Sequence, residues 1–194
     1  MYEASKSCKR RFYNGNFISK YFVGNGIDVG CGSDTVGRYY RQFPLIKSVK
    51  PFDMEDGDAQ YLTRYCQPQS FDFLHSSHSL EHMVDPRVAL KQWIECVRIG
   101  GYLIITVPDE DMYEHGQWPS QFNHDHKWSF TIHKAKSAMP KSINVLDLIQ
   151  ESSELVTCEK VEIINDFYNP EDQFDQTMTP NPECSIEIIL RRIA

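Results

Sequence analysis

The segment GIDVGCGSDT, residues 26–35, joins a strand signal to a loop signal. Its apolar start is typical of a short buried strand, and a single acid, Asp28, stands inside it. Gly30 and Gly32 follow at once, and glycine permits positive φ angles and a close approach of the backbone to a ligand. The loop therefore fits a phosphate cradle, a redox turn at Cys31, the binding loop of another cofactor, or a tight structural turn.

Two of these interpretations conflict with the surrounding residues. The G-x-x-x-x-G-K-S/T spacing of a nucleoside-triphosphate loop is absent, and Thr35 stands where a dinucleotide-binding G-x-G-x-x-G segment has its third glycine. The six cysteines, at positions 8, 31, 66, 96, 158 and 184, form no C-x-x-C pair, so no redox motif, zinc ribbon or disulfide scaffold is indicated. Reduced thiols in a cytoplasm are expected.

Strand-like and helix-like segments alternate along the chain. The predicted strands are GIDVG, KSVKPFDM, SFDFLHSS, GYLIITVP, EKVEIINDFY and CSIEIILRRI. The predicted helices are DTVGRYYRQF with Ser33 or Asp34 as N-cap, DPRVALKQWIECVRI from Asp85 to the Gly100–Gly101 pair, and NVLDLIQESSELV. This order predicts an α/β fold with a single Rossmann-like, doubly wound and mostly parallel sheet, whose last two strands form an antiparallel C-terminal edge.

Length and composition are those of one globular domain covering residues 1–194. Hydrophobic residues make up 41% and charged residues 24% of the chain, and 27 acidic against 20 basic side chains give a net charge of −7. This balance disfavours nucleic acid as a partner, because phosphate binding needs a basic face. No run has the length of a membrane span or the apolar core of a signal peptide, which predicts a cytoplasmic protein. The N-terminal segment 1–20 is interpreted as a solvated tail with basic residues at Lys6, Lys9, Arg10 and Arg11.

Polar side chains follow the predicted strands, at the edge where α/β sheets bind ligands. Asp53 stands after the second strand, at the spacing of an acid that holds an adenosine ribose, and Glu55 fits the same role. Asp58 in the segment GDAQ could accept a hydrogen bond from an exocyclic amine or cap a helix. The third strand is followed by HSLEHMVDP, whose two histidines and glutamate suit catalysis, metal binding or capping.

Together these segments resemble class I S-adenosylmethionine-dependent methyltransferases. GIDVGCG, the acid at Asp53, GDAQYL, FDFLHSSHSLEHMVDP and ALKQWIECVRIGGYLIITVPD occur in the order found in that family, and the resemblance extends from about Phe17 to Val107. It is nearest to the small type 11-like group associated with glycan and surface-polysaccharide biosynthesis. The resemblance implies the class I methyltransferase fold and S-adenosylmethionine as cofactor.

The resemblance also implies where each part of the cofactor binds. The loop after the first strand would line the methionine half, with Asp28 near the cationic amino group and backbone N–H groups near the carboxylate. Asp53 would hold the ribose hydroxyls, Asp58 and Ala59 would face the adenine, and the end of the third strand would form the floor beneath the sulfonium. The implied residues are Asp28, Gly30, Cys31, Gly32, Asp53, Met54, Asp58, Ala59, Ser76 and His78.

Residues 108–140 are interpreted as the segment that binds the methyl acceptor. All seven histidines fall between residues 75 and 133, and residues 108–131 are long and aromatic for a simple connection. Aromatic walls with a few polar groups are typical of small-molecule pockets, although the same rings could instead cover the sheet edge. The residues concerned are Tyr113, Trp118, Phe122, Trp128 and Phe130, beside His115, His124, Asp125 and His126.

A hydroxyl acceptor must lose a proton near neutral pH, and histidine is suited to accept it. His126 is the predicted base, with Asp125 or His124 as its orienting partner. His78 and His82 are the next candidates.

A divalent metal is a minority alternative. Metal binding by the triplet HDH is disfavoured, because in an extended segment His124 and His126 point away from Asp125. A separate metal site with Asp109, Glu110 or Asp111 stays open.

The sequence thus predicts an enzyme that transfers a methyl group from S-adenosylmethionine to a small polar acceptor. A hydroxyl of a sugar or of a nucleotide-linked glycan intermediate is the favoured acceptor, and N- or C-methylation of another small metabolite is the alternative. A cofactor-binding partner subunit without catalytic activity and a nucleotide-dependent dehydrogenase are alternatives of other classes. The expected partner is the small-molecule acceptor, without nucleic acid or membrane, and a homodimer is compatible with the sequence.

Overall fold

The strand that precedes the glycine loop lies inside the sheet. The structure is a computed structural model and describes residues 3–194. β1 (Gly24–Val29) pairs in parallel with β2 (Ile46–Phe52) on one side and with β3 (Phe71–Ser77) on the other. Because the chain goes from β1 to β2 and then crosses back to β3, the carboxyl end of β1 is a switch point, where open α/β sheets bind ligands.

The remaining strands complete the predicted architecture. β4 (Val97–Pro108) pairs in parallel with β3. A separate two-stranded parallel sheet consists of β5 (Ser129–Thr131) and β6 (Ser142–Asn144). β8 (Ser185–Arg192) lies antiparallel between β4 and β7 (Val156–Ile164). The order β2-β1-β3-β4-β8-β7 confirms the mostly parallel sheet with an antiparallel C-terminal edge.

The helices are α1 (Glu3–Phe12), α2 (Pro86–Cys96) and α3 (Val145–Gln150). α2 begins as predicted, since the Asp85 carboxylate accepts hydrogen bonds from the N–H groups of Arg87 and Val88. Its end was predicted wrongly, because Gly100 and Gly101 lie within β4 and do not stop the helix. In the described part of the chain, no helix is long and apolar enough to cross a bilayer.

The helix predicted for DTVGRYYRQF does not form. Its residues hold only a short 3-10 turn, Val36–Tyr39, which Thr35 caps. The carboxylate of the predicted cap, Asp34, is engaged elsewhere, because it accepts hydrogen bonds from the Ser5 N–H at 2.8 Å and the Tyr39 hydroxyl at 2.7 Å. Tertiary contacts therefore override a weak helix propensity here, and α3 is likewise shorter than predicted.

α1 is a packed helix and not the solvated tail that the sequence predicted. Arg11 and Lys6 have only 0% and 3% of their surface exposed. Arg11 Nε donates a hydrogen bond to the Glu187 carboxylate at 2.7 Å, and Lys6 Nζ donates to Glu3 and to the Thr177 carbonyl. Arg11 thus holds α1 to an acidic residue of β8, and Lys6 ties the helix to the segment at Thr177.

Alternating side chains of the central strands build a core on each face of the sheet. Leu74 and Leu103 lie in the core that includes α2, whereas Phe73 and Ile104 lie in the core beneath α1 and residues 17–22. Both faces of the parallel region are thus covered, which is usual for parallel sheets. The carboxyl ends of the strands are thus the edge at which open α/β sheets bind ligands.

Candidate active site

Two adjoining clefts open at the carboxyl ends of β1, β2 and β3. The larger has a volume of about 610 Å³ and the smaller about 280 Å³, and Gly30 and His78 line both. The larger cleft is also lined by Asp53, Met54, Gly57, Asp58, Ala59, Gln60, Ser79, His82, Met83, Val84, Asp125 and Lys127. The smaller cleft is also lined by Glu3, Ala4, Asp28, Cys31, Gly32, Ser33, Asp34, His75 and Ser77.

Most of the residues that the sequence implied for cofactor binding line these clefts, and Ser76 is the exception. Ser76 is fully buried, and its hydroxyl donates to the Val29 carbonyl at 3.0 Å. The next two residues of the chain, Ser77 and His78, face the smaller cleft instead. Of the two acids after β2, Asp53 lines the larger cleft and Glu55 is an exposed residue outside it.

The glycine loop has the backbone geometry that its sequence predicted. Gly30 has a φ of +70°, and a Cβ at this position would lie 2.3 Å from Ser79 Oγ. Gly32 has a φ of +52°, and within the described residues nothing lies within 4 Å of where its Cβ would be. A side chain is thus excluded at Gly30 by contact, while at Gly32 the conformation favours glycine and leaves the backbone open to a ligand.

Asp53 connects the glycine loop to the end of β2. Its carboxylate accepts a hydrogen bond from the Gly32 N–H at 2.6 Å and another from the Met54 N–H at 2.8 Å. Asp58 accepts from the Gln60 N–H and so caps the short 3-10 segment Ala59–Arg64. Both acids therefore hold the loops that form the wall of the larger cleft.

Asp28 is committed to the protein itself. Its Oδ2 accepts from the Val36 N–H at 2.6 Å, and its Oδ1 lies 2.6 Å from His75 Nδ1. The other ring nitrogen of His75 lies 2.9 Å from Arg11 Nη1. Because a guanidinium only donates hydrogen bonds, His75 Nε2 must accept and His75 Nδ1–H must donate to Asp28. Asp28 thus lines the smaller cleft with both oxygens already engaged.

His78 lies where the two clefts meet. Its φ of +52° is uncommon for a side chain larger than glycine. His78 Nε2 is 2.9 Å from Ser185 Oγ, and within residues 3–194 His78 Nδ1 has no hydrogen-bond partner. Burial, with smaller contributions from His126 and Lys6, lowers the pKa of His78 to about 3, so the ring is neutral near pH 7.

Glu81, His82 and His126 converge beside the larger cleft. One potential ligand atom of each lies within 4.8 Å of the other two. Glu81 is fully buried, and among the described residues neither of its carboxylate oxygens has a hydrogen-bond partner. Burial raises the pKa of Glu81. Burial alone would lower the pKa of His126, but the hydrogen bond with Glu114 and the charge of Glu81 outweigh it and raise that pKa.

The backbone brings the two parts of this cluster together. The Glu81 carbonyl accepts hydrogen bonds from the N–H groups of Lys127 and Trp128 at 2.9 and 3.2 Å. Lys127 Nζ donates to the His82 carbonyl at 2.7 Å. The segment after His126 is therefore fixed on the turn that carries Glu81 and His82.

The orienting partners predicted for His126 are wrong. His126 Nδ1 is 2.6 Å from Glu114, whereas Asp125 contacts His82 Nδ1 at 3.0 Å. His124 is exposed. The chain turns here, with the His126 N–H donating to the carbonyl of residue 123, and the His126 ring meets a residue 12 positions away instead of its sequence neighbours. His126 itself lies beneath the cleft surface, and His82 and Asp125 line the cleft.

The aromatic rings predicted for the acceptor segment lie away from the larger cleft. Tyr113 and Phe130 are buried with 2% and 0% of their surface exposed, and the Tyr113 ring packs 5.1 Å from the His126 ring. Within residues 3–194, the lining of the larger cleft includes none of the five predicted rings, and Met83 and Val84 supply apolar surface there. Phe130 and Trp128 instead pack in the hydrophobic core that includes α2, as the alternative interpretation expects of them.

The acids proposed for a separate metal site serve another purpose. Asp109 Oδ1 accepts hydrogen bonds from the N–H groups of Asp111 and Met112. Glu110 and Asp111 bind Lys134 Nζ at 2.8 and 2.6 Å. These contacts hold the turn after β4 to the segment before β6.

Sequence inspection missed Glu114, Lys127 and Glu3 as neighbours of the site. No local motif marks Glu114, which meets His126 only through the fold. Lys127 directly follows a predicted site residue, and this proximity was the one available signal. Glu3 reaches the smaller cleft because α1 packs over it.

Comparisons with known proteins agree with the fold. The chain matches a family model described as a methyltransferase domain over residues 12–142. An S-adenosylmethionine dependent methyltransferase from Mesorhizobium loti superposes with a TM-score of 0.60 at 17% identity, covering 97% of this chain and 98% of that chain. One from Archaeoglobus fulgidus gives 0.59 at 16% identity, covering 98% and 94%. The plantazolicin methyltransferase BpumL, solved in complex with a pentazolic desmethylPZN analog and SAH, gives 0.59 at 12% identity, covering 100% and 86%.

A comparison with curated protein sequences finds no match. The family match and the shared fold confirm the predicted class I architecture, the predicted methyltransferase and its cofactor, S-adenosylmethionine. The assignment to a glycan-associated group stays a prediction. With about two thirds of its length matched by the family model, the chain belongs to the methyltransferase-domain family.

Proposed function

We propose that the protein methylates a hydroxyl group of a small polar acceptor, with a sugar or a nucleotide-linked glycan intermediate as the favoured class. The observation that carries the proposal is the pair of clefts that meet at Gly30 and His78, beside a cluster of ionisable side chains. When bound, S-adenosylmethionine supplies a sulfonium methyl group that a nucleophile can displace. The residues of the chain would bind the cofactor and would orient and activate the acceptor.

The larger cleft suits the adenosine half of the cofactor. Asp53 stands at its wall with its carboxylate fixed by the N–H groups of Gly32 and Met54, and each oxygen keeps a lone pair for a ribose hydroxyl. Asp58 and Ala59 line the same cleft and would face the adenine. Met54 is 89% exposed and would cover the base.

The smaller cleft suits the methionine half. Because Asp28 is only 1% exposed and both of its oxygens are engaged, we assign this residue to holding the loop, and we assign the amino group to Glu3 at the same cleft. Burial raises the pKa of Glu3 to about 7, although Lys6 opposes the shift. A cationic amino group beside Glu3 would favour its ionised form. The open backbone of the glycine loop would serve the carboxylate.

The segment 108–140 would contact the acceptor through its polar residues. Asp125 and Lys127 line the larger cleft beside His82, and the Asp125 side chain is 70% exposed. A carboxylate, an ammonium and an imidazole together offer donors and acceptors to a molecule rich in hydroxyl groups. This polar rim favours a sugar-like acceptor over an apolar one.

The cluster of Glu81, His82 and His126 would either accept the proton of the acceptor hydroxyl or weaken its O–H bond. A hydroxyl needs such help near neutral pH, whereas an amine with a free lone pair needs less. His82 faces the cleft, while His126 and Glu81 lie behind it. The cluster therefore supports O-methylation more than N-methylation.

Two measurements test the proposal. Titration calorimetry with S-adenosylmethionine should show binding, and its absence would overturn the cofactor site. A library of sugars and nucleotide sugars, with amines as comparison, should then yield S-adenosylhomocysteine with hydroxyl acceptors. Turnover with amines alone would contradict the acceptor class, and binding without turnover on any acceptor would favour a non-catalytic partner subunit.

A further inference from the structure

We propose that Glu81, His82 and His126 bind a divalent transition-metal ion beside the larger cleft. The three residues come from two separate segments of the chain, and the fold brings one ligand atom of each within 4.8 Å of the other two. Two imidazoles and a carboxylate are a donor set that first-row transition metals accept.

In both imidazoles Nδ1 lies beside a carboxylate, an arrangement common among histidines that bind metals. His82 Nδ1 is 3.0 Å from an Asp125 carboxylate oxygen, and His126 Nδ1 is 2.6 Å from a Glu114 carboxylate oxygen. A carboxylate that accepts the Nδ1–H fixes the tautomer and leaves Nε2 as the basic nitrogen. His126 Nε2 faces Glu81, at 3.8 Å from Oε1.

Glu81 provides the second, independent observation. Its side chain is fully buried, and in the described part of the chain neither carboxylate oxygen has a hydrogen-bond partner. A bare buried carboxylate costs several kcal/mol unless an opposite charge compensates it. Glu81 has no such compensation at bonding distance, since the nitrogens of His126 and His78 lie 3.8 and 3.6 Å away.

These separations leave room for an ion between the ligands. A metal bonded to nitrogen and oxygen at about 2.0–2.2 Å holds its ligands roughly 3–3.5 Å apart. A small closure of the His126 and Glu81 side chains would therefore bring them to bonding distance. The two imidazoles favour ions from Mn²⁺ to Zn²⁺ over Mg²⁺ and Ca²⁺, which prefer oxygen ligands alone.

The metal would act on the acceptor, and this part of the inference rests on the proposed function. The His82 side chain is 26% exposed and lines the cleft, so coordination positions left free by the protein would face the acceptor. A hydroxyl oxygen bound there has a lowered pKa, and its O–H bond would break with transfer of the proton to water in the cleft. The binding of the metal itself does not depend on the proposed function.

Cobalt binding to the full chain tests the site. After treatment with a chelator and dialysis, the protein is titrated with Co²⁺ alone, and the visible absorption of the ion is followed. The wild-type chain should take up one ion, and Glu81→Gln, His82→Ala and His126→Ala should each weaken binding at least tenfold. His124→Ala is the matched control, since this exposed histidine lies two residues from His126 and outside the cluster, and it should bind as the wild type does.

Failure of the wild type to bind Co²⁺, or unchanged binding by Glu81→Gln and His82→Ala, would overturn the inference. His82→Ala guards against misfolding, because His82 is only partly buried and its loss leaves no bare charge in the core. Titration with Mg²⁺ should give at least tenfold weaker binding than Co²⁺, and equal affinity would contradict the imidazole ligation. Cofactor calorimetry on the same samples separates the two proposals, since lost cofactor binding with retained Co²⁺ binding would overturn only the proposed function.

Discussion

Two buried polar clusters lie near the clefts, and they differ in how their charges are compensated. The closed network consists of Asp28, His75, Arg11 and Glu187, each at most 1% exposed and linked in sequence by contacts of 2.6, 2.9 and 2.7 Å. The open cluster consists of Glu81, His82 and His126. In residues 3–194 its Glu81 carboxylate has no hydrogen-bond partner, although Glu81 is as buried as Glu187.

The difference separates two uses of buried charge. Arg10 and Lys160 add further contacts to Glu187, at 3.1 and 3.0 Å, so that carboxylate is fully compensated within the protein and fixes α1 on the sheet. Glu81 lies beside the cleft, where compensation can come from outside the protein. We interpret the closed network as structural and the open cluster as prepared for a ligand.

The largest expected effect is on the closed network. Arg11→Met should lower the free energy of unfolding by about 3–5 kcal/mol, because it removes the central cation from buried Glu187 and His75. Lys9→Met on the same helix is the control, since Lys9 is exposed, and it should change stability by less than about 0.5 kcal/mol. Denaturant unfolding measures the stability of both variants, and similar losses of stability for Arg11→Met and Lys9→Met would contradict the structural role assigned to the closed network.

The pH dependence of stability should also depend on the closed network. Burial alone would raise the pKa of Glu187, but Arg11 and Arg10 outweigh it and hold that pKa well below its usual range. A depressed pKa in the folded state means that the stabilisation is present above about pH 4.5 and is lost as the pH falls further. The stability difference between wild type and Glu187→Gln should therefore shrink below pH 4.5. A constant difference from pH 7 to pH 3 would be evidence against the ion pair.

A substitution in the open cluster should change the enzyme's activity more than its stability. His82→Ala should reduce methyl transfer at least about 100-fold, while unfolding changes by less than about 1 kcal/mol because the ring is partly exposed. The cofactor affinity should stay within about twofold. His124→Ala, the exposed neighbour, should leave all three quantities unchanged, and an active His82→Ala enzyme would remove the cluster from the mechanism.

Asp53 is a third kind of acidic residue: it lines the cleft, accepts hydrogen bonds from the protein, and can still accept hydrogen bonds from a ligand. Asp53→Asn should weaken S-adenosylmethionine binding about 10- to 100-fold, since hydrogen bonds to a charged group contribute roughly 1.5–3 kcal/mol. Glu55→Gln is the matched control outside the cleft, and its affinity should equal that of the wild type. Calorimetry compares the two variants, and equal affinities would reject Asp53 as the ribose ligand.

The sequence predicted the sheet well because apolar runs, or apolar residues alternating with polar ones, mark most of its strands. β1, β3 and β4 each stand out locally, and the order of segments places their carboxyl ends together. Asp53 and the glycine loop could be placed at the clefts for the same reason, since their position follows from strand ends rather than from side-chain contacts.

What the sequence could not show depends on contacts between distant residues. Arg11 meets His75 across 64 positions, and nothing near Arg11 indicates that this basic segment is buried. Glu114 replaces Asp125 as the partner of His126 because the chain turns just before His126. A single sequence specifies neither that turn nor the packing of α1, and both determine which charges find partners.

The most direct test is the unfolding of wild type and Glu81→Gln, first in chelator and then with excess Co²⁺. Glu81→Gln should be at least as stable as wild type in chelator, because a neutral amide of the same size replaces a buried carboxyl group whose oxygens have no hydrogen-bond partner among residues 3–194. Metal at about 100 times its Kd should then stabilise the wild type by about 2.7 kcal/mol and the variant by much less. If the variant is less stable than wild type in chelator, or if metal raises its stability as much as that of the wild type, the claim that the Glu81 carboxylate is left unpaired for a ligand is contradicted.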